Sequence, residues 1–301
     1  MTAKLLKEFG QINGNFLRQT FEMISLSKMK YGGELCFHNN LRALNKIQFQ
    51  FYKRFCHLKN ATPTYCLIGE FGIYPMEFHF YKAALKYWKK LIAADETSLI
   101  RRIYQQIYLN VEEHVYSKTW CWQIKKLLHE LKLEKLWENQ SNDEKLNYNS
   151  IIKTRLTEHF REQWIKSAKH SHKGLDYLEL TLFNCDMKSY LNFIMEDKSV
   201  LSMLKLRTGN HKLSIEIDRY RNRKAYQECI CNACNTEKIE DIYHVLVECP
   251  KYSDLRSKNL NFLIKSTRED LYKLMNDLSH KRLKLLTNFM ATVDEMKRAS
   301  N

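Results

Sequence analysis

Glycine and proline are scarce, at 8 and 3 of 301 residues. Doubly wound nucleotide-binding folds and β-sandwiches need many turns marked by those residues, so both are disfavoured and long helices are the natural reading. No apolar run approaches the length of about 18 residues that suggests a bilayer span. Residues 1–18 carry Lys4, Lys7 and Glu8 without an apolar core, so no secretory leader is expected either. These absences point to a non-secreted, nuclear or cytoplasmic protein without a membrane partner. No P-loop, dinucleotide fingerprint or G-x-S-x-G elbow occurs. His129-Glu130 begins like a zinc-protease helix, but Leu133 stands where the second histidine is needed, and His170-Ser171-His172 has only Asp176 as a nearby carboxylate. No enzymatic activity and no small-molecule substrate are therefore expected.

What is present is apolar and basic. Hydrophobic residues make up 44% of the chain, including 15 Phe, 17 Tyr and 5 Trp, which is enough for a sizeable core. The formal charge is +15. Helical periodicity appears at Leu41, Leu44, Ile47, Phe51, Phe55 and Leu58, ending at Thr62-Pro63. A short irregular stretch is expected over Cys66–Tyr74, bounded by Gly69, Gly72 and Pro75. After Pro75 a helix places Tyr81, Leu85, Trp88 and Leu91 on one face, with Lys82, Lys86 and Lys89 as a basic ridge beside them. Further helices are expected at 98–115 (Leu99, Ile103, Ile107), 119–133 (Trp120, Ile124, Leu127, Leu131), 152–168 (Leu156, Phe160, Trp164) and 200–207, the last stopped by Gly209. Helix returns beyond Pro250.

The fold class expected is all-α with a small zinc-knuckle module near the C-terminus. Its segments are an unplaced stretch (1–28), a helical region (29–140), a polar break, a helical connector (151–215), a basic run with the zinc module (216–256) and C-terminal helices (257–301).

Nine cysteines, an odd number, do not suggest a secreted disulfide framework. Four of them bunch at Cys229, Cys231, Cys234 and Cys249. With His244 they give C-x2-C-x9-H-x4-C, the residue types of a closed tetrahedral zinc site: Cys231, Cys234, His244 and Cys249. Cys229 is a competing thiol, although Cys231 has the tighter relation to Cys234. Four protein ligands leave no position for water, so a structural Zn2+ is expected.

Upstream lie Arg219, Arg221, Arg223 and Lys224. If the chain is extended there, the three arginines point to one side and can follow a phosphate backbone. The first 60 residues add a second surplus, ten basic against three acidic. The partner expected from this charge is RNA or DNA.

Leu206-Arg207-Thr208-Gly209-Asn210, the basic run, the cysteine-histidine motif, Pro250, Tyr252 and Arg256 together resemble the C-terminal zinc-binding region of non-LTR (LINE-type) retrotransposon reverse transcriptases. Upstream, Tyr31-Gly32-Gly33-Glu34-Leu35, Phe51–Phe55, Thr62-Pro63-Thr64, residues 69–75, Leu85–Trp88, Thr119-Trp120, Trp137 and Gln140 resemble the region that follows the polymerase palm. The resemblance covers about residues 29–300 and implies the final part of a longer protein, acting beside a parent polymerase domain to hold template or target. It carries over only Cys231, Cys234, His244 and Cys249 as functional residues. Reverse transcription uses two metal ions, held in these enzymes by an adjacent Asp-Asp pair, and no such pair exists in this sequence. The expectation is a non-catalytic nucleic-acid-binding fragment. The alternatives are a zinc-stabilised helical protein-interaction module and a decayed transposon remnant without a selected role.

Overall fold

The computed structural model describes residues 12–39, 41–113, 119–140, 147–195 and 197–299, apart from the side chains of Tyr220 and Arg221. The chain is mainly helical. Among the described residues no strand forms, only isolated bridges between Asn13 and Ile194 and between Ile230 and Ile239. The helices run in the order α1 (Gly14–Thr20), α2 (Gly33–Cys36), α3 (Arg42–Phe55), α4 (Thr64–Phe71), α5 (Met76–Ile92), α6 (Leu99–Glu112), α7 (Trp120–Glu130) and α8 (Glu134–Asn139). They continue as α9 (Tyr148–Lys169), α10 (His172–Leu180), α11 (Lys198–Arg207), α12 (Ser214–Arg221), α13 (Ser253–Asn259), α14 (Arg268–Asn276) and α15 (His280–Ala299).

Two compact units share the chain. One comprises Phe49–Ile73 and Ile165–Asn301 with the N-terminal stretch through Gln19, the other Thr20–Gln48 and Tyr74–Trp164. The units are interleaved along the sequence rather than consecutive. Residues 141–146 of the polar break at 138–150 lie outside the described residues, as do residues 1–11 of the unplaced N-terminal stretch.

In the second unit, α5 is the central helix. Asn45 accepts from the Met76 N–H at 2.8 Å and donates to Glu77, so a side chain from α3 satisfies the helix start that Pro75 cannot. Leu85, Trp88 and Leu91 are buried as their spacing predicts. Trp88 Nε1 donates to the Tyr104 hydroxyl at 2.9 Å, which donates to Gln140 at 2.7 Å. Trp137 Nε1 donates to Glu112, and Trp120 Nε1 to the Glu34 carbonyl. The indole N–H groups of Trp88, Trp120 and Trp137 and the Tyr104 hydroxyl thus each have an acceptor. On α6 the apolar stripe faces outward: Leu99 is 72% and Ile103 51% exposed, while Tyr104 and Val111 are buried. Tyr104 wins the inward position because its hydroxyl completes the chain from Trp88 to Gln140.

The first unit corrects the expected irregular stretch at Cys66–Tyr74. Thr64–Phe71 is a buried helix, with Pro63 extended just before it and Gly72, at φ +61°, ending it. Pro63 requires no N–H there, and Gly69 lies on a buried face. A Cβ on Gly72 would sit 2.7 Å from the Met187 nitrogen, so this glycine serves both its own conformation and a close approach. Glu70 of α4 is wholly buried and accepts from Arg207 Nε at 2.9 and 3.0 Å, from the Tyr177 hydroxyl at 3.0 Å and from the Tyr190 hydroxyl at 2.6 Å. The remaining Arg207 nitrogens donate to the Met275 carbonyl at 3.0 Å and to Asn276 Oδ1 at 3.2 Å. One satisfied ion pair therefore ties together α4, α10, α11, the 189–192 turn and the end of α14. Next to it Gly209 takes φ +69° and stops α11, and the Asn210 side chain joins Lys59, Thr62 and Thr208.

Periodicity misplaced the inner face of α3. Gln48, Phe49, Tyr52, Lys53 and Cys56 are buried, whereas Ile47 is 48% exposed. Two of the buried residues are polar: Gln48 donates to the Tyr74 carbonyl at 3.0 Å, although its Oε1 is buried without a hydrogen-bond partner among the described residues, and Lys53 donates to the Asn60 carbonyl at 2.7 Å.

Candidate metal centre

A short hairpin-like turn presents the first two ligands. Cys231 N–H donates to the Lys238 carbonyl at 2.8 Å and Glu240 N–H to the Cys229 carbonyl at 2.9 Å, which closes the loop carrying Cys231 and Cys234. A π-turn, His244–Glu248, presents the histidine; its start is held by Asp241, which accepts from the His244 N–H at 2.7 Å. Such turns widen the helix locally and recur at functional sites. Cys249 follows directly. The buried Arg256 donates to the carbonyls of Cys249 (2.7 Å) and Val245 (3.3 Å), so the arginine of the C-terminal motif braces the ligand-bearing turn.

The ligand atoms of Cys231, Cys234, His244 and Cys249 all lie within 4.8 Å of one another. A tetrahedron with metal–sulfur bonds of about 2.3 Å has S–S edges of about 3.8 Å and, with nitrogen at about 2.0 Å, S–N edges of about 3.5 Å. The Cys231–Cys249 sulfurs are 3.9 Å apart and the Cys234 sulfur is 3.4 Å from His244 Nε2. Two edges of the cluster have the lengths of a tetrahedral site, and the four ligands together can hold a metal ion. Cys229 is not part of it, because its thiol turns to the Ala225 carbonyl at 3.4 Å.

The surroundings suit ionised thiols. Burial opposes ionisation at Cys234, but hydrogen bonds from Thr236 and His244 outweigh it and hold that thiol below its ordinary range. Cys231 and Cys249, deeper in the fold, are pushed up by burial, so a cation is what would make them thiolates together. His244 Nδ1 is buried without a hydrogen-bond partner and lies 3.6 Å from Glu248 Oε2, the outer carboxylate position that orients metal-bound histidines.

Glu240, wholly buried, anchors the turn to the rest of its unit. It accepts from the Ser214 N–H and hydroxyl at 2.6 Å and from Lys297 Nζ at 2.7 Å. Nothing in its sequence context marked it, since its partners lie on α12 and α15.

The basic run is arranged differently from expectation. The chain is helical through Arg221, not extended, so the arginines cannot form a one-sided row. Arg219 pairs with Glu216 at 2.9 Å and Lys224 with Asp218 at 3.2 Å. The Arg221 side chain lies outside the described residues. Arg223, exposed at φ +53°, makes no ion pair among the described residues. On α5, Lys82 and Lys86 are exposed, but Lys89 is half-buried with its ammonium 4.9 Å from the Tyr148 ring centre. Lys90, exposed, continues the ridge at the spacing Lys82, Lys86, Lys90 that the sequence reading passed over.

The class these features define is a mainly helical protein with a Cys3His cluster able to hold a metal ion. No helix among the described residues is long and apolar enough to cross a membrane. No family model, curated protein or solved structure matches the chain.

Proposed function

We propose that the chain is a zinc-stabilised, non-catalytic RNA- or DNA-binding region of the kind found after the polymerase palm in LINE-type reverse transcriptases. The observation that carries the reading is the metal cluster's geometry, whose ligand spacing and tetrahedral edges fit Zn2+ better than a hard, oxygen-preferring cation. The net charge of +15 and the exposed Lys82, Lys86 and Lys90 ridge supply the electrostatic grip. Sequence-independent binding of this type has Kd on the order of 10⁻⁴ to 10⁻⁶ M at physiological salt.

The test is a salt titration of binding to labelled single-stranded RNA and duplex DNA by fluorescence anisotropy. Affinity should fall steeply as salt rises, and the triple substitution of Lys82, Lys86 and Lys90 by Ala should make the log–log slope shallower by about 2 to 3. Binding that ignores ionic strength, or none at low salt, overturns the reading.

A second reading, a helical protein-interaction module, is favoured by the outward stripe Leu99, Ile100, Ile103 and Ile107 on α6. Ile103→Asp separates the two: it should abolish association with a protein partner and leave nucleic-acid binding unchanged.

A further inference from the structure

The first unit contains a cavity that none of the metal ligands lines. It opens to solvent on one side, and its walls come from α4, α10, α11 and the turn after it, α12, the 241–242 segment and α14. Leu180, Leu206 and Ile215 give it an apolar floor. Charged groups ring that floor, and their pairing is uneven. Lys173 pairs with Glu216 at 2.8 Å and Arg268 with Asp241 at 2.8 Å. Arg207, which also borders the cavity, is committed to Glu70 at 2.9 Å. Asp176 is left without a cation of its own; the contact it has among the described residues is the Tyr226 hydroxyl, at a long 3.4 Å. Asp176 is thus the lining carboxylate that has no ion pair among the described residues, whereas Glu216 has two, to Lys173 and to Arg219.

We propose that this cavity binds a cationic N–H donor, a guanidinium or primary ammonium on an aliphatic stem, with Asp176 as the anchoring carboxylate and the apolar floor receiving the stem. A half-enclosed carboxylate gains most from a ligand that brings both charge and hydrogen-bond donors, because water is largely excluded there. A phosphate or carboxylate ligand would meet the unpaired Asp176 carboxylate, while the cations of the wall are already engaged. The proposal does not depend on nucleic-acid binding.

The groups facing Asp176 set its behaviour with pH. Burial, then Asp241 across the cavity and Glu179 on its own helix, push it up to about 6, against the opposing pull of Arg268 from α14 and the hydrogen bond from Tyr226. Lys173 and Glu216 face the same space as a pair, with Arg219 on the other oxygen of Glu216; the Tyr272 hydroxyl accepts from Arg268 at 3.1 Å, and His211 is driven down to about 3 by burial and by Lys173, so it adds no charge near neutrality. Ligand binding should therefore strengthen as pH rises through about 6 and release a proton when measured just below that value.

The experiment is calorimetric titration of the full chain with agmatine, in parallel with an arginine-containing tripeptide blocked at both ends. Saturable binding near pH 7.5, weakened about tenfold or more near pH 5 and in Asp176→Asn, is expected from removal of one partner of an enclosed charge pair. Agmatine alone binding identifies a free amine as the ligand, and both binding identifies an arginine side chain as sufficient. Asp176→Asn should remain folded. A carboxyl whose folded pKa is raised holds more protons when folded, so its contribution is present below the unfolded value of about 4 and is lost as pH climbs through about 6. The variant should accordingly melt at a higher temperature than the unsubstituted chain near pH 7.5 and not near pH 4. No heat with either probe at millimolar concentration, or equal affinity in the folded Asp176→Asn chain, overturns the proposal.

Discussion

Cys234→Ala chains will carry no zinc where the unsubstituted chain carries one equivalent, and they will lose amide protection across residues 229–249. The substitution is informative because Cys234 is the most exposed of the four ligands. Removing its sulfur leaves little cavity, so a large effect cannot come from packing. What is lost is the ion that offsets three thiolates brought within 4.8 Å of one another and of a histidine. In isolated zinc-finger peptides that ion contributes an apparent ~10 to 16 kcal/mol to folding, which is an upper bound here because Arg256 and Glu240 also hold the turn. Metal analysis with hydrogen exchange makes the check. Retention of one zinc equivalent would sink the assignment, and unchanged exchange after zinc loss would show that the ion is not structural. Amides of α5, in the other unit, should exchange as before.

Arg207→Ala will destabilise the first unit by about 3 to 5 kcal/mol, the usual cost of leaving a buried partner charge alone. Against a total stability of about 5 to 15 kcal/mol, that is enough to shift the urea midpoint substantially. Glu70 would keep two tyrosine donors but no cation, and the carbonyl of Met275 and side chain of Asn276 would lose their donors. Replacing both members, Glu70→Leu with Arg207→Leu, should cost less than the sum of the single replacements, because neither charge is then stranded. A midpoint shift equivalent to under about 1 kcal/mol for Arg207→Ala would refute the importance given to this pair.

The helices that were legible in the sequence bury large apolar residues four apart without polar competition. α9, with Ile152, Leu156, Phe160, Trp164 and Ala168 all buried, is the clearest. α4 was illegible because Pro63, Gly69 and Gly72 are turn residues by type, and only their positions before, within and after the helix allow it to form. The faces of α3 and α6 were misjudged for a common reason. A polar or half-polar residue went inside where a partner distant in sequence engages it, the Tyr74 carbonyl for the amide N–H of Gln48 and Trp88 with Gln140 for Tyr104. At the candidate site, the cysteine-histidine set was legible because metal geometry imposes local spacing. The ion pairs of Arg219 and Lys224 were not legible, since the acidic residues that engage them, Glu216 and Asp218, come within reach only once the segment is helical. Glu240 was invisible for want of any local sign of Ser214 or Lys297.

That last carboxylate bears on how the chain can be divided. Zinc fingers are often portable, folding as excised peptides once loaded. Cutting the metal-site segment out around residues 229–256 would leave Glu240 without the Ser214 donors and the Lys297 ammonium that engage it beneath the turn. The shortest piece able to reproduce the cluster's surroundings therefore runs from α12 to α15, and a graft of the four ligands onto another scaffold would need to bring a half-buried lysine with it.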